Sequence, residues 1–479
     1  MRSLFTILTF ITAVAHPLLA QNEELPEVWS IDQCVSYALQ NNIQIRQAQV
    51  QKEIAANTLS NAKWDRTPNL NFNGSYGANF GLNIDPVTNT ISQTQRQTAN
   101  FGLSSSWVLF NGMRKYNYLK QSNLDFLAAM YSLEDVKNDI RLNVASAYLQ
   151  ILLNQEILLV ATEQQRITAL QLDRMGKLVT AGSRPKGDQL QLEAQLARDQ
   201  QNFIASQNSV TISKLQLANI LQLENPDDFT LSTPEIEVPE SVLVARNPES
   251  IFSTAVAQQP GIKGAEKRLE SSEKAVEVSK GNRLPTLSLN AQMGTTYSDQ
   301  IQQVDGTSDY ITPVPVYDAD GNVVFVSNQQ TVPTSYSNKP FGNQLSDNLN
   351  EYVGVSLNIP IFNRLTIHNG VETARLNREL SQLQLDQEKN NLRQTIYQAH
   401  ADAKASYNSF LAAEKAVESS EESFTYAEQR FEVGALNQFD YENAKNSLAS
   451  AQSDLARAKY DYIFKIKVLE FYLTNQVKL

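Results

Sequence analysis

Residues Asn69–Gly81, NLNFNGSYGANFG, place an apolar or small residue at every even position and Asn, Ser or Gly at every odd one. An extended chain turns alternate side chains to opposite faces. Leu70, Phe72, Tyr76 and Phe80 therefore share one face, and Asn69, Asn71, Asn73, Ser75 and Asn79 share the other. Three more runs repeat the pattern. Phe101, Leu103, Trp107 and Leu109 alternate with Asn100, Gly102, Ser104 and Ser106; Leu287, Leu289, Ala291 and Met293 with Ser288, Asn290 and Gln292; and Val353, Val355, Leu357 and Ile359 with Gly354, Ser356 and Asn358. Runs of about 10 to 13 residues match a tilted strand that crosses a bilayer. A soluble sheet with one dry face and the wall of a membrane barrel both alternate in this way.

Chain breakers mark where helices are allowed. No proline lies between Pro86 and Pro185 or after Pro360, and Gly176 is the one glycine between Gly112 and Gly182. Gly112–Gly182 and Asn363–Gly434 span 70 and 71 positions, on the order of 100 Å each as helix. Ile140, Val144, Ala147, Ile151 and Leu158 trace a helical stripe in the first. Shorter helices are expected over Ser30–Lys63, with Asp32 at a favourable N-terminal position, and over Asp188–Glu224. Their combined length equals one long helix, so end-to-end stacking beside it is the simplest packing.

Internal repetition is the strongest signal. At an offset of 217, Ala38, Ile45, Lys63, Pro68 and Gly77 meet Ala255, Ile262, Lys280, Pro285 and Gly294. At an offset of 252, Gly102, Phe110, Asn111, Arg141, Gly182, Asp188 and Leu221 meet Gly354, Phe362, Asn363, Arg393, Gly434, Asp440 and Leu473. The expected organisation is a first repeat over 21–225, a linker over 226–248 and a second repeat over 249–479. The 35-residue difference between the offsets falls between the two strands of each half, in loops over 82–97 and 298–348. Four strands cannot close a barrel, and open sheet edges are not tolerated in lipid. Several copies must pool their strands; three copies would give twelve, an even number within the range of outer-membrane barrels.

Composition sharpens this picture. Only 19% of residues are charged, so neutral amides and hydroxyls supply much of the polarity, as suits a wet wall. A net charge of −11 offers no basic stripe for phosphates, which argues against nucleic acid. Residues 1–20 read as a secretory signal cleaved after Ala20, too short in its apolar core to span a membrane. No later segment approaches an uninterrupted apolar span, so any crossing falls to strands. The single cysteine, Cys34, reads as a packing residue.

A duplicated strand–loop–strand–long-helix unit behind a signal peptide, with ALQNNIQIRQA near the start and RFEVGALNQFDYENAKNSL near the end, resembles the TolC-type outer membrane efflux protein family. The resemblance covers about Trp29 to Leu473. It implies an α+β membrane duct: a homotrimer whose 12-stranded β-barrel sits in outer-membrane lipid and continues into a periplasmic α-helical barrel. It also implies a periplasmic adaptor and an inner-membrane pump of the RND or ABC type as partners. A trimeric coiled-coil surface protein or a periplasmic scaffold are the alternatives. Neither explains two strand pairs with polar second faces.

Candidate chemistry is sparse. Beyond the signal, His368 and His400 stand apart from any cysteine or paired carboxylates, so no catalytic, cofactor or metal constellation is expected. Asp318–Asn322, DADGN, lacks most ligands of a calcium loop and reads as a turn. The tip turns carry more. Gly182 and Gly434 sit where a long helix ends and the next begins, and the resemblance makes these turns the periplasmic entrance, where partners dock. Asp188 and Asp440 match the family's acidic position, and six carboxylates in a trimer would ring the entrance and favour cations. Each also suits the first turn of a helix as a partner for its dipole. The family's second acid is Asn443 here, and Phe431 and Leu436 replace polar locking residues, so closure is expected to lean on packing. Phe72, Tyr76, Phe80, Trp107, Tyr297 and Tyr352 are candidates for a headgroup girdle. Pro68, Pro285 and Pro360 are expected at strand–helix junctions.

Overall fold

The computed structural model describes residues 28–84, 89, 91–93, 95–223, 230–232, 238 and 242–475. The expected signal segment, 1–20, and most of 226–241 in the expected linker lie outside them. Chain order is β1 (Val28–Trp29), α1 (Ile31–Asn41), α2 (Ile43–Trp64), β2 (Asn71–Asn79), β3 (Leu82–Ile84), β4 (Ile91–Gln93), β5 (Arg96–Asn111), α3 (Arg114–Thr180), α4 (Lys186–Leu221) and β6 (Thr230–Leu231). Then follow α5 (Pro248–Gln258), α6 (Pro260–Gly281), β7 (Thr286–Ser298), β8 (Gln302–Tyr317), β9 (Val323–Asn338), α7 (Phe341–Asp347), β10 (Asn350–Asn358), α8 (Thr366–Glu432) and α9 (Gln438–Thr474).

The repeat offsets hold at element ends. A shift of 217 carries the bounds of α1 and α2 onto those of α5 and α6, and a shift of 252 carries α3 onto α8. Both long helices have 67 residues. The turns into them also match, because Gly112 and Met113 have φ of 66° and 62° and their counterparts Arg364 and Leu365 have 54° and 61°. Two consecutive left-handed residues swing the strand into the helix, a conformation that costs a side-chain-bearing residue roughly 1–2 kcal/mol.

Contacts divide the chain into two units. One contains residues up to Gln47, Asp135–Ala255 and Arg393 onward. Its core gathers Ile140, Val144, Tyr148 and Ile151 of α3 with Leu217 and Leu221 of α4 and Tyr462, Ile463 and Ile466 of α9. The buried stripe on α3 thus runs through Tyr148 where the sequence pointed to Ala147, which is half-buried. The larger side chain wins the interior position because its hydroxyl is satisfied, at 2.7 Å from the Ser232 carbonyl oxygen. Beside it, β1 and β6 pair in parallel and bury Trp29. The linker is therefore tied down at Thr230–Leu231.

The expected helix over Ser30–Lys63 is two helices. Ser30 and Gln33 close a reciprocal cap at the start of α1, and the chain turns extended at Asn42 with ψ 130°. The Asn42 side chain accepts the Gln44 N–H at 2.9 Å and donates to the Ile220 carbonyl at 2.9 Å. A side chain that competes for backbone partners breaks a helix without proline or glycine. The break meets the last turn of α4 and α1 packs against α4, whereas end-to-end stacking would bring Ser30 or Lys63 to that turn. Cys34 is fully buried on α1, and burial pushes its thiol up to about 12. A maleimide at pH 8 is expected to leave Cys34 unmodified in native protein and to label it fully after denaturation; native labelling at an ordinary rate would contradict this.

The second unit contains Ala48–Glu134 and Val256–Leu392. Ile262, Ala265 and Leu385 form its helical core, flanked by Val256, Leu269 and Leu392. At Gly264, α6 packs against α3 with room for no more than an ordinary Cβ contact, 3.6 Å from the Ala128 carbonyl oxygen. Its four-stranded antiparallel sheet has the order β10-β7-β5-β2. Pro68, Pro285 and Pro360 fall between strands and helices, as expected.

One expectation is corrected here. The segment 298–348 is a long hairpin, β8 paired with β9, followed by the short helix α7. The DADGN turn closes it, with Asp318 Oδ1 accepting the N–H groups of Asp320 and Asn322 at 3.0 and 2.9 Å. Within α3 one stretch of eighteen residues is apolar enough to span a membrane by composition. It includes the polar Asn154 and the α3 core positions of the first unit, so it reads as a packing face of a helix too long to lie in a bilayer.

Candidate functional site

Cross-strand pairing decides which side chains share a face of the sheet. Phe72 pairs Leu103 and Leu103 pairs Met293; Trp107 pairs Leu289 and Leu289 pairs Val355. One face thus holds Leu70, Phe72, Tyr76, Phe101, Leu103, Trp107, Leu287, Leu289, Met293, Val353, Val355 and Leu357. Many of these are fully open, such as Val353 at 74% exposure and Phe72 at 67%. An apolar face of this size in water would be a liability. The other face is a lattice of amides and hydroxyls. Ser106 donates to Asn290 at 2.9 Å, which donates to Ser356 at 3.2 Å. Thr296 donates to Asn100 at 3.0 Å, which donates to Ser75 at 3.4 Å. These chains cross three strands each and keep the polar groups satisfied. Among the described residues, β2 and β10 stand at the two ends of the strand order.

Two aromatic and strand expectations change. Tyr352 pairs Gln292 on the amide face and lies over Gly354, so it is not on the apolar side. A bulge between Val108 and Phe110 makes Phe110, not Leu109, the residue opposite Leu287. Tyr297 packs on Phe341 with ring centroids 5.1 Å apart.

The helical tips repeat the same construction. Gly182 and Gly434 both have φ 74°. Ser183 N–H bonds the Leu178 carbonyl at 2.8 Å and Ala435 N–H bonds the Arg430 carbonyl at 2.8 Å, closing each long helix with a glycine cap. Asp188, half-buried in the first turn of α4, lies 4.0 Å from Arg184. Asp440, exposed in the first turn of α9, takes the Asn437 amide at 2.9 Å while Asn437 caps its N–H at 2.8 Å. The two carboxylates keep separate partners on separate hairpins. Phe431 packs on Tyr441 with ring centroids 4.7 Å apart and planes inclined by 34°. Burial, with Glu428 and Glu442 adding to it, pushes the Tyr441 phenol up to about 12. It stays neutral far above its ordinary value of 10, and the stability tied to its burial falls only as pH climbs past 10. A cavity of about 500 Å³ beside these residues is lined by Arg166, Arg174, Arg184, Glu428 and Glu432.

The pattern that defines the outer membrane efflux protein family matches residues 34–222 and 251–465. The chain belongs to that family. It is 21% identical over 468 residues to the outer membrane protein TolC of Escherichia coli K12, covering 97% of this chain and 84% of TolC. Its fold matches the outer membrane channel CmeC of Campylobacter jejuni with a TM-score of 0.71 at 17% identity, over 92% of this chain and 85% of CmeC. The open-state outer membrane channel MtrE of Neisseria gonorrhoeae matches with a TM-score of 0.68 at 16% identity, over 94% and 91%.

One cluster in this efflux-family chain was not foreseen. Lys445 of α9 is fully buried and reaches the Thr168 hydroxyl of α3, which donates to Asp199 of α4. Lys445 Nζ lies 3.6 Å from Asp199 and 2.9 Å from Glu442, and Gln195 donates to Asp199 at 2.7 Å. The signal was a charge on an apolar helical stripe: Lys445 falls between Tyr441 and Leu448, and Asp199 follows Leu192 and Gln195.

Proposed function

We propose that this chain is the outer-membrane channel of a tripartite efflux system: a passive homotrimeric duct that receives cargo from an inner-membrane pump through a periplasmic adaptor. The observation that carries this is the two-faced sheet, open at β2 and β10 among the described residues, in a member of the outer membrane efflux protein family. Lipid covers the apolar face, water fills the amide face, and sister chains complete the ring through β2 and β10. The chain is a passage and not a catalyst. Purified protein is expected to run as a heat-modifiable trimer from outer-membrane extracts and to form pores in a planar bilayer. A monomer soluble without detergent would end this reading.

At the tips we assign the entrance to the turns at Gly182 and Gly434 and a cation-favouring ring to Asp188 and Asp440. Support comes from their equivalent places in the repeat and from the exposure of Asp440. Asp440→Asn together with Asp188→Asn is expected to weaken block of single channels by a trivalent cation about tenfold or more. An unchanged block would leave the carboxylates as partners of the helix dipole alone.

A further inference from the structure

The β8–β9 hairpin has no counterpart of its size in the first half, where β3 and β4 have three residues each. Its root is fixed. Lys339 N–H bonds the Ile301 carbonyl at 2.9 Å, and the buried Gln344 accepts the Ser298 N–H at 3.0 Å and donates to the Lys339 carbonyl at 2.8 Å. Above the root the ladder is polar, with Asp309 accepting from Gln329 and Thr331 at 2.7 and 2.9 Å. Register shifts flank Gly306, packed under Ser335, and a bulge of this kind re-aims everything beyond it.

Past this polar stretch, toward the tip, the hairpin carries apolar side chains on both faces. Pairing puts Ile311, Pro313, Pro315, Tyr317, Val323 and Phe325 on one face, where Tyr317 is 78% and Phe325 64% exposed. Val314, Val316, Val324 and Val326 share the other. Pro313 and Pro315 remove donors from β8 beside the tip, and Pro333 removes one from β9 near the bulge, which disfavours strand addition along β8 and leaves the two apolar faces as the larger surface for association. Residues 302–338 hold four aspartates and no lysine or arginine, which disfavours anionic lipid headgroups as the occupant.

A surface that needs cover on two opposite sides fits a ring. In a cyclic trimer each hairpin has two identical neighbours, and head-to-tail contact joins unlike faces. We propose that the three hairpins of the trimer pack face to face, the Tyr317–Phe325 face of one against the four-valine face of the next, and cap the outer mouth of the duct. This rests on the trimeric duct reading. The cap restricts passage on the outside, whereas the helical tips act at the periplasmic entrance.

The test uses the full-length trimer with Val314→Cys and Phe325→Cys combined; the native Cys34 is buried and stays out of the reaction. Oxidation is expected to link chains into a disulfide-bonded trimer on a non-reducing gel and to lower single-channel conductance, with dithiothreitol reversing both. A second variant, with 302–338 replaced by a short Gly-Ser turn, is expected to raise conductance about twofold or more. A conducting trimer whose cysteines stay unlinked, or unchanged conductance without the hairpin, overturns the cap. So does an environment-sensitive dye on Phe325→Cys that reports an apolar setting only after reconstitution into vesicles, which makes lipid the occupant. No trimer or pore in the unmodified protein fails the duct reading itself.

Discussion

Lys445→Ala is expected to cost about 3–5 kcal/mol of stability, because it strands Asp199 in the interior without its cation. Among the described residues, the Lys445 ammonium is the cation paired with both Asp199 and Glu442, whose side chains are 5% and 13% exposed. Thr168 and Gln195 satisfy the oxygens of Asp199 by hydrogen bonding but carry no charge. Lys445→Met combined with Asp199→Leu is expected to recover most of the loss, since an apolar pair of similar volume replaces a buried ion pair at little net cost. Thermal unfolding in detergent, followed by helix ellipticity, separates the two. A single variant within about 1 kcal/mol of the unmodified protein would show that water reaches the cluster. α3 and α4 flank the Gly182 turn and α9 follows the Gly434 turn, so on the proposed entrance role of these turns the same variant is expected to raise the spread of single-channel conductance levels.

Gly112→Ala is the second large effect. At φ 66° a side chain is strained, and its Cβ would sit 2.3 Å from the Gly281 carbonyl oxygen and 2.8 Å from Leu284 Cβ. Backbone cannot yield as a flexible side chain can. Left-handed strain and overpacking together come to about 3 kcal/mol or more, at the joint that sets the direction of β5 against α3. The yield of heat-modifiable trimer is expected to fall severalfold. Gly434→Ala is the control: φ is 74°, yet no atom lies within 4 Å of the added Cβ. It keeps the strain alone, about 1–2 kcal/mol. Equal effects at the two glycines would refute the steric account.

Much of the fold is legible in the sequence because its determinants are local or repeated. Alternation at Leu70–Phe80 and its three companions set the strands and their faces, and the offset of 252 located both long helices and both tip glycines. What escaped depends on partners remote in sequence. Asn42 breaks a helix through the Ile220 carbonyl, 178 residues away. Lys445 reads as a misplaced charge until Thr168, 277 residues distant, is beside it. The β8–β9 hairpin was hidden by its prolines, which argue against a strand in a sheet interior but are tolerated where each strand keeps a free edge. At the tips, the positions of Asp188 and Asp440 were legible, while their neighbours Arg184 and Asn437 emerge only with the turn geometry.

Equal helices of 67 residues in both repeats bear on how such a chain can change over generations. Losing one residue from either would shorten it by about 1.5 Å and rotate all that follows by about 100°, turning buried positions such as Ile396 outward and setting its terminal turn out of step with its twin. Insertions between strands carry no such penalty, as the 35 extra residues of the second half attest. Relatives should therefore differ freely in the segments joining their strands, while rod lengths shift in concert or not at all.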